Sequence, residues 1–271
     1  MRVFWVLVLW LLGAAPAVAQ TVAHDGALVS LETADASRGW EGVGKLLLGK
    51  RGFCTGTLIA PQMVLTAAHC LFDKDTGARI AVSEMQFLAG WRNGRAAAYR
   101  GVRRAVGHPE YIYSGRDKLD RVGFDLALIE LDQPIRLPSL VPFETDKSPV
   151  QGASVGVVSY AQDRSEAPSM QDLCEVLATR HDVLVLSCNV DFGSSGSPVF
   201  SIRDGVARVI SVVSAKAEVE GRKVALAAPL EATLVELQAA LAAENPPRMG
   251  AQGVKLLSGG AASGGAKFVK P

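Results

Sequence analysis

The chain has 271 residues, 49% of them hydrophobic and 20% charged, which is enough to bury a sizeable core and too apolar for an intrinsically disordered protein. Its length allows one large domain or two small ones. A formal charge of +1 supplies no global attraction to nucleic acid or to an anionic membrane, so any partner has to be recognised locally.

The N-terminal stretch MRVFWVLVLWLLGAAPAVAQ places Arg2 ahead of an apolar run from Val3 to Leu12 and ends on Ala17, Val18 and Ala19. This is the pattern of a secretory signal peptide, residues 1–19, cleaved after Ala19. A retained anchor would need about 20 apolar residues in a row, and no later segment is long and apolar enough to span a bilayer. The mature chain is therefore expected to be secreted or periplasmic, without stable membrane insertion. Export puts the four cysteines where disulfides persist. Local spacing favours Cys54 with Cys70 and Cys174 with Cys188 among the three pairings, each closing a short loop worth about 3 kcal/mol on the chain-entropy model. With no CxxC pair and no closely spaced His and Cys set, no metal is expected.

Residues 20–38 are polar and irregular, either a pro-segment or an N-terminal arm. From Gly42 onward short apolar runs alternate with Gly, Pro, Asn and Asp: VGKLLLG, TGTLIAP, MVLTAA, EMQFLAG, DLALIELDQP, ASVGVVSY, VLVLSC, PVFSI and VARVISVVSA. Runs of this length, rich in Val, Leu and Ile, predict an all-β barrel or sandwich. The segment 133–149 carries Pro134, Pro138, Pro142 and Pro149 without periodicity and reads as the connection between two halves, 39–140 and 141–244. Leu230, Leu234, Leu237 and Leu241 recur at helical spacing, and Pro229 suits a first helical turn. One amphipathic helix is thus expected over 229–244. Residues 245–271, rich in Gly, Ala and Ser with Arg248, Lys255, Lys267 and Lys270, read as a flexible basic tail.

Three places carry residue types suited to amide hydrolysis through a serine, which needs a hydroxyl on an exposed bend, an imidazole, an orienting carboxylate and oxyanion donors. In FCTGTLIAPQMVLTAAHC, residues 53–70, an apolar run leads into small residues and then His69. In GFDLALIELDQP, residues 123–134, Asp125 precedes a mostly apolar run. In DFGSSGSPVF, residues 191–200, two serines lie among glycines, and the apolar sequence that follows speaks against a flexible linker. His24, His108 and His181 are expected to be structural, the last at a turn over Thr179 to Asp182 between two short strands bracketed by Cys174 and Cys188.

TAAHC with the upstream TGTLIAP, DLALIEL with the upstream GHPEY, and GSSGSP resemble the histidine, aspartate and nucleophile motifs of the chymotrypsin-like (trypsin-like) serine proteases. GSSGSP aligns without a gap on GDSGGP and selects Ser195, with Gly193, Gly196 and Pro198 in matching places. The order His69, Asp125, Ser195 is that of this family and differs from those of the subtilisins and the α/β-hydrolases. The resemblance covers about residues 40–243. It implies two six-stranded antiparallel β-barrels with a C-terminal helix, a cleft between the barrels, a His69–Asp125–Ser195 triad, and an oxyanion hole from the Gly193 and Ser195 amides, with no cofactor.

The chain also departs from that family. Ser194 stands where the digestive members carry an aspartate that pairs with a freshly cut N-terminal amine. The SGSP ending resembles the bacterial glutamyl-endopeptidase-like branch, and signal-peptide removal is expected to suffice for activity. The resemblance places Asn189 at the floor of the primary pocket and Val213, Ser214 and Lys216 along its wall. Ala215 and Lys216 replace the usual aromatic residue and glycine, and Val213 the histidine usual in the glutamyl-specific branch, so the substrate side chain stays open. Ser214 fits the family's serine that contacts the catalytic aspartate. The expected function is an exported serine endopeptidase, a monomer acting on peptide or protein substrates and not on nucleic acid, its activity rising with pH as His69 loses a proton with an apparent pKa of about 7. The competing expectation is a catalytically silent binding protein on the same fold.

Overall fold

A computed structural model describes residues 26–113, 119–180 and 183–244. The expected signal peptide (residues 1–19), His24, His181 and residues 245–271 lie outside the described residues.

The strands, in chain order, are β1 (Val29–Ser30), β2 (Val43–Leu48), β3 (Phe53–Ala60), β4 (Met63–Thr66), β5 (Met85–Ala89), β6 (Ala98–Gly107), β7 (Ala127–Leu131), β8 (Ser154–Ala161), β9 (Arg164–Arg180), β10 (Val183–Leu186), β11 (Pro198–Arg203), β12 (Val206–Val219) and β13 (Arg222–Pro229). A short turn of helix, α1 (Leu119–Val122), precedes β7, and α2 (Glu231–Ala243) follows β13. Strands β2-β3-β4-β7-β6-β5 form a closed antiparallel barrel. The second sheet closes as well, because β8 pairs with both β9 and β11, and β10, β13 and β12 complete a ring of six. Closure removes the exposed edges on which an open antiparallel sheet could aggregate.

Each apolar run singled out in the sequence lies on a strand of these two sheets. Alternating residues fill the interiors: Leu46, Leu58, Val64, Phe87 and Ile129 in the first barrel, Val157, Val176, Leu184, Val199, Ile210 and Val213 in the second. The Pro-rich connection has no strand of its own. It is held between the sheets by Phe143, whose ring meets Trp40 and Phe200 at 5.9 and 4.8 Å and whose N–H donates to Leu58 O.

Three expectations need adjusting. Pro229 ends β13, and the helix begins two residues later with Leu230 as its buried N-cap; Leu237 and Leu241 carry its buried face. The helix packs against β6 and β7 of the first barrel, where Arg104 donates to Leu241 O and His108 Nε2 lies 2.9 Å from Glu236 Oε2. Strand β9, expected to be short, is 17 residues long, and the expected turn falls in part on residues 181–182, outside the described ones. Residues 26–38 form an arm built into the second sheet: Val29 and Ser30 pair with Met170 and Ser169, and Leu31 is buried.

Candidate active site

Strand register brings the first two groups together. Thr66, the last residue of β4, lies opposite Ala127, the first of β7. His69 sits three residues past one, on a single 3₁₀ turn (Ala68–Leu71), and Asp125 two residues before the other. Ala67 and Ala68 are fully buried behind the imidazole, which is the use of small residues in TAAHC. Cys54 and Cys70 form a disulfide that ties the 3₁₀ turn to β3. Their sulfurs are near His69, but the bond leaves no thiolate for a metal.

Asp125 is 3% exposed and its carboxylate is saturated with donors. Oδ1 accepts the His69 N–H at 2.8 Å; Oδ2 lies 2.7 Å from His69 Nδ1 and also accepts the Ser214 hydroxyl. Ser214 comes from β12, so the carboxylate is shared between the barrels. Burial alone would push the Asp125 carboxyl up; the charge and ring N–H of His69, the Ser214 hydroxyl and the His69 backbone N–H together outweigh it and hold the group below its ordinary 3.8. A folded-state value below the unfolded one stabilises the fold above the ordinary carboxylate range, and this contribution is lost as pH falls through the folded value. Thermal melts between pH 6 and pH 2 are therefore expected to show a steeper acid loss for wild type than for Asp125→Asn, whose amide does not titrate; equal slopes would contradict this.

The nucleophile loop is fixed by the first barrel as much as by its own. Thr55 on β3 receives the loop, its N–H donating to Ser195 O at 2.8 Å and its hydroxyl to Gly193 O at 2.9 Å. Gly193 and Gly196 have φ of +96° and +80°, a region that side chains strain to enter. A Cβ on Gly196 would come within 2.1 Å of Thr66 Oγ1 and 2.2 Å of Thr55 O, so no larger residue fits where the loop crosses the β3–β4 hairpin. Several backbone donors of the loop are used within the protein. Ser194, Gly196 and Ser197 give their N–H groups to Asp191 O, Val213 O and Ser194 O. Among the described residues, the Gly193 and Ser195 N–H groups donate to no protein acceptor.

His69, Asp125, Gly193, Ser195, Val213, Ser214 and Lys216 line one cleft of about 580 Å³. Asn189 does not line it; that residue borders a separate cavity with Gln171, Ser187 and the Gly26–Leu28 segment, its N–H donating to Gln171 Oε1. Lys216 spans the cleft mouth, with Nζ 2.8 Å from Asp191 Oδ1 and 4.0 Å from the centre of the Phe192 ring. Its hydrogen bond, followed by the Phe192 N–H, draws the Asp191 carboxyl below its ordinary value. His108 is buried between Phe124 and Glu236, away from the cleft-lining groups. Cys174 and Cys188 form the second disulfide, tethering β9 to the segment that enters the nucleophile loop.

Thr55, Tyr160 and Arg164 also shape the loop, and the sequence reading did not single them out. Thr55 lies inside the CTGTLI stretch that was read only as a strand. Nothing local marks Arg164.

Residues 54–210, more than half of the chain and including His69, Asp125 and Ser195, match the family model of the trypsin-like peptidase domain. The chain belongs to the trypsin-like peptidase family. Among curated members it is similar to a glutamyl endopeptidase of Bacillus licheniformis, 26% identical over 150 residues, which are 55% of this chain and 45% of that protein. It is also similar to human serine protease 23, 26% identical over 163 residues, 54% of this chain and 42% of that one. The match thus spans less than half the length of these relatives. A solved Glu endopeptidase, in complex with MPD, superposes with a TM-score of 0.65 over 81% of this chain and 97% of its own, at 18% identity, a likeness of fold. The branch suggested by SGSP agrees with the match to the Bacillus glutamyl endopeptidase.

Proposed function

We propose that this trypsin-like peptidase is an exported serine endopeptidase that hydrolyses peptide bonds through His69, Asp125 and Ser195. What carries the reading is the pair of undonated N–H groups at Gly193 and Ser195, in one cleft with a His69 oriented by a saturated, buried carboxylate.

Ser195 Oγ attacks the scissile carbonyl carbon while its proton passes to His69 Nε2. Asp125 accepts the Nδ1–H, fixes the tautomer that leaves Nε2 as the base, and stabilises the imidazolium without taking the proton. The carbonyl oxygen becomes an oxyanion held by the Gly193 and Ser195 N–H groups, each worth about 3 kcal/mol. Collapse breaks the C–N bond, and the leaving amine takes the proton from His69. Water then attacks the acyl-enzyme with His69 again as base, releasing the carboxylic acid and restoring Ser195. Protonating His69 removes the base, so activity rises with pH across the imidazole range.

Two disulfides support export to an oxidising compartment, with residues 1–19 removed as a signal peptide. Residues 26–38 stay with the mature domain, since a cut near residue 38 would strip β1 and the buried Leu31 from the second sheet. We assign the first barrel to 39–140, the second barrel with the C-terminal helix to 141–244, and 245–271 to a tail.

The test uses the chain from residue 20 to 271. A fluorophosphonate is expected to label it once, on Ser195, and a peptide library read by mass spectrometry to show endopeptidase cuts and the preferred side chain. A folded chain that takes no label would favour a silent binding protein instead.

A further inference from the structure

The residue before the proposed nucleophile, Ser194, is 1% exposed and its hydroxyl is enclosed by polar partners. It donates to Tyr160 O at 3.3 Å and lies 3.4 Å from two donors, the Asp191 N–H and Arg164 Nη2. All but the Asp191 contact come from one hairpin, β8–β9, whose tip is Gln162 and Asp163. The same tip holds the loop again through the Gln162 N–H, which donates to Phe192 O at 2.8 Å, and Ala161 Cα lies 3.1 Å from where a Gly193 Cβ would stand. Three consecutive loop residues, Phe192, Gly193 and Ser194, are thus set by one hairpin.

Arg164 locks that hairpin tip to the loop. Its Nη1 donates to Ser159 O at 2.8 Å and its Nη2 to Ser159 Oγ at 3.0 Å, so the planar guanidinium bridges β8 and reaches Ser194 from a fixed fork. In the digestive members of the family this chain resembles, the loop is ordered by an ion pair between an aspartate at the Ser194 position and a newly cut amine. Here the acceptor is neutral, and the cation is a side chain within the fold.

We propose that Arg164 is the positioning residue of the oxyanion loop, an internal cation that holds Ser194, and through it the neighbouring Gly193 and Ser195 N–H groups, in place without an amine released by cleavage. The inference rests on the proposed Ser195 chemistry for its kinetic consequence but not for its structural one. Burial pushes the Arg164 guanidinium down while Asp163 and Asp191 oppose this, in keeping with a cation held beside acidic neighbours. Without Arg164 the Ser194 hydroxyl keeps the Asp191 donor and the Tyr160 acceptor but loses its link to the guanidinium, and the loop, still held by Thr55 and the Gln162 N–H, loosens around Gly193. Displacement of oxyanion donors by about 1 Å costs on the order of 100-fold in rate.

Arg164→Met keeps the apolar stem and removes the fork. It is expected to lower kcat by about 10- to 100-fold with KM changed less than about threefold, and to weaken a peptide boronic acid by the same factor as kcat while a non-hydrolysable product peptide binds as before. Arg164→Lys should recover part of kcat. Hydrogen exchange of the 190–197 peptide should speed up in Arg164→Met, and also when this change is made in a Ser195→Ala background, where turnover plays no part. Ser194→Ala, which removes the acceptor, should shift kcat and exchange in the same direction by a smaller factor, and it serves if Arg164→Met does not fold. Wild-type kcat with unchanged exchange in the 190–197 peptide would overturn the proposal. So would a loss of activity explained wholly by the unfolded fraction. A wild type that takes no fluorophosphonate would refute the peptidase reading, while the exchange measurement would still decide the role of Arg164.

Discussion

Ser195→Ala is expected to lower kcat by roughly 10⁵- to 10⁶-fold and to abolish fluorophosphonate labelling, with the melting temperature nearly unchanged. Without the hydroxyl there is no acyl-enzyme, and His69 has no nucleophile to deprotonate except water. Cleavage should still exceed the uncatalysed rate by about 10³- to 10⁴-fold, because substrate binding and the Gly193 and Ser195 N–H groups survive the substitution. The fold should not notice the change. Ser195 is partly exposed, and its contribution to packing is the backbone carbonyl that accepts from Thr55, which alanine keeps. Ser194→Ala is the informative contrast, since that hydroxyl is buried and bonded. Retained turnover in a folded Ser195→Ala protein would place the chemistry elsewhere.

Asp125→Asn is the second large effect, a loss in kcat of about 10⁴-fold with little change in KM. Asp125 accepts from three donors with two oxygens: the His69 backbone N–H, the His69 ring and the Ser214 hydroxyl. An amide supplies one oxygen and one NH₂. If the oxygen stays with the His69 N–H, the NH₂ faces Nδ1 and favours the tautomer with the proton on Nε2, where it cannot accept from Ser195. If the amide turns, the NH₂ opposes the backbone N–H and a buried donor is left unpaired. Steady-state kinetics checks the rate. A loss confined to KM would mean that Asp125 only shapes the cleft.

The three motifs were legible because each is local. TAAHC needs its small residues to sit behind the imidazole, DLALIEL needs a strand that starts two residues after the acid, and GSSGSP needs glycines at positive φ, one of them pressed against Thr66. The disulfide partners were also within reach of spacing, as each pair is separated by 16 or 14 positions. Strands β6 and β13, and the part of β9 before Cys174, were not among the runs read from the sequence. On β6, Arg100, Arg103 and Arg104 break the apolar pattern, and only pairing with β7 gives Arg104 its Glu130 partner. On β9, buried Ser169 and Gln171 look like loop residues until the second ring closes over them. Asn189, placed at the pocket floor by alignment to the family, borders another cavity, because its backbone is drawn to Gln171 on β9.

By itself the sequence determined the fold class, through short apolar runs of strand length, and its spacing favoured the disulfide pairing, while the family and the residues proposed for the chemistry followed from the resemblance of three short motifs. The tertiary structure alone decided what holds those residues. Thr55 grips the nucleophile loop across the cleft, Lys216 closes on Asp191, and Arg164 reaches Ser194 from a hairpin tip, whereas the Ser214 contact with Asp125 from the other barrel was expected from the family resemblance. The first three contacts join positions 25 to 138 residues apart, and such pairs meet only after both sheets have closed, so no local pattern encodes them.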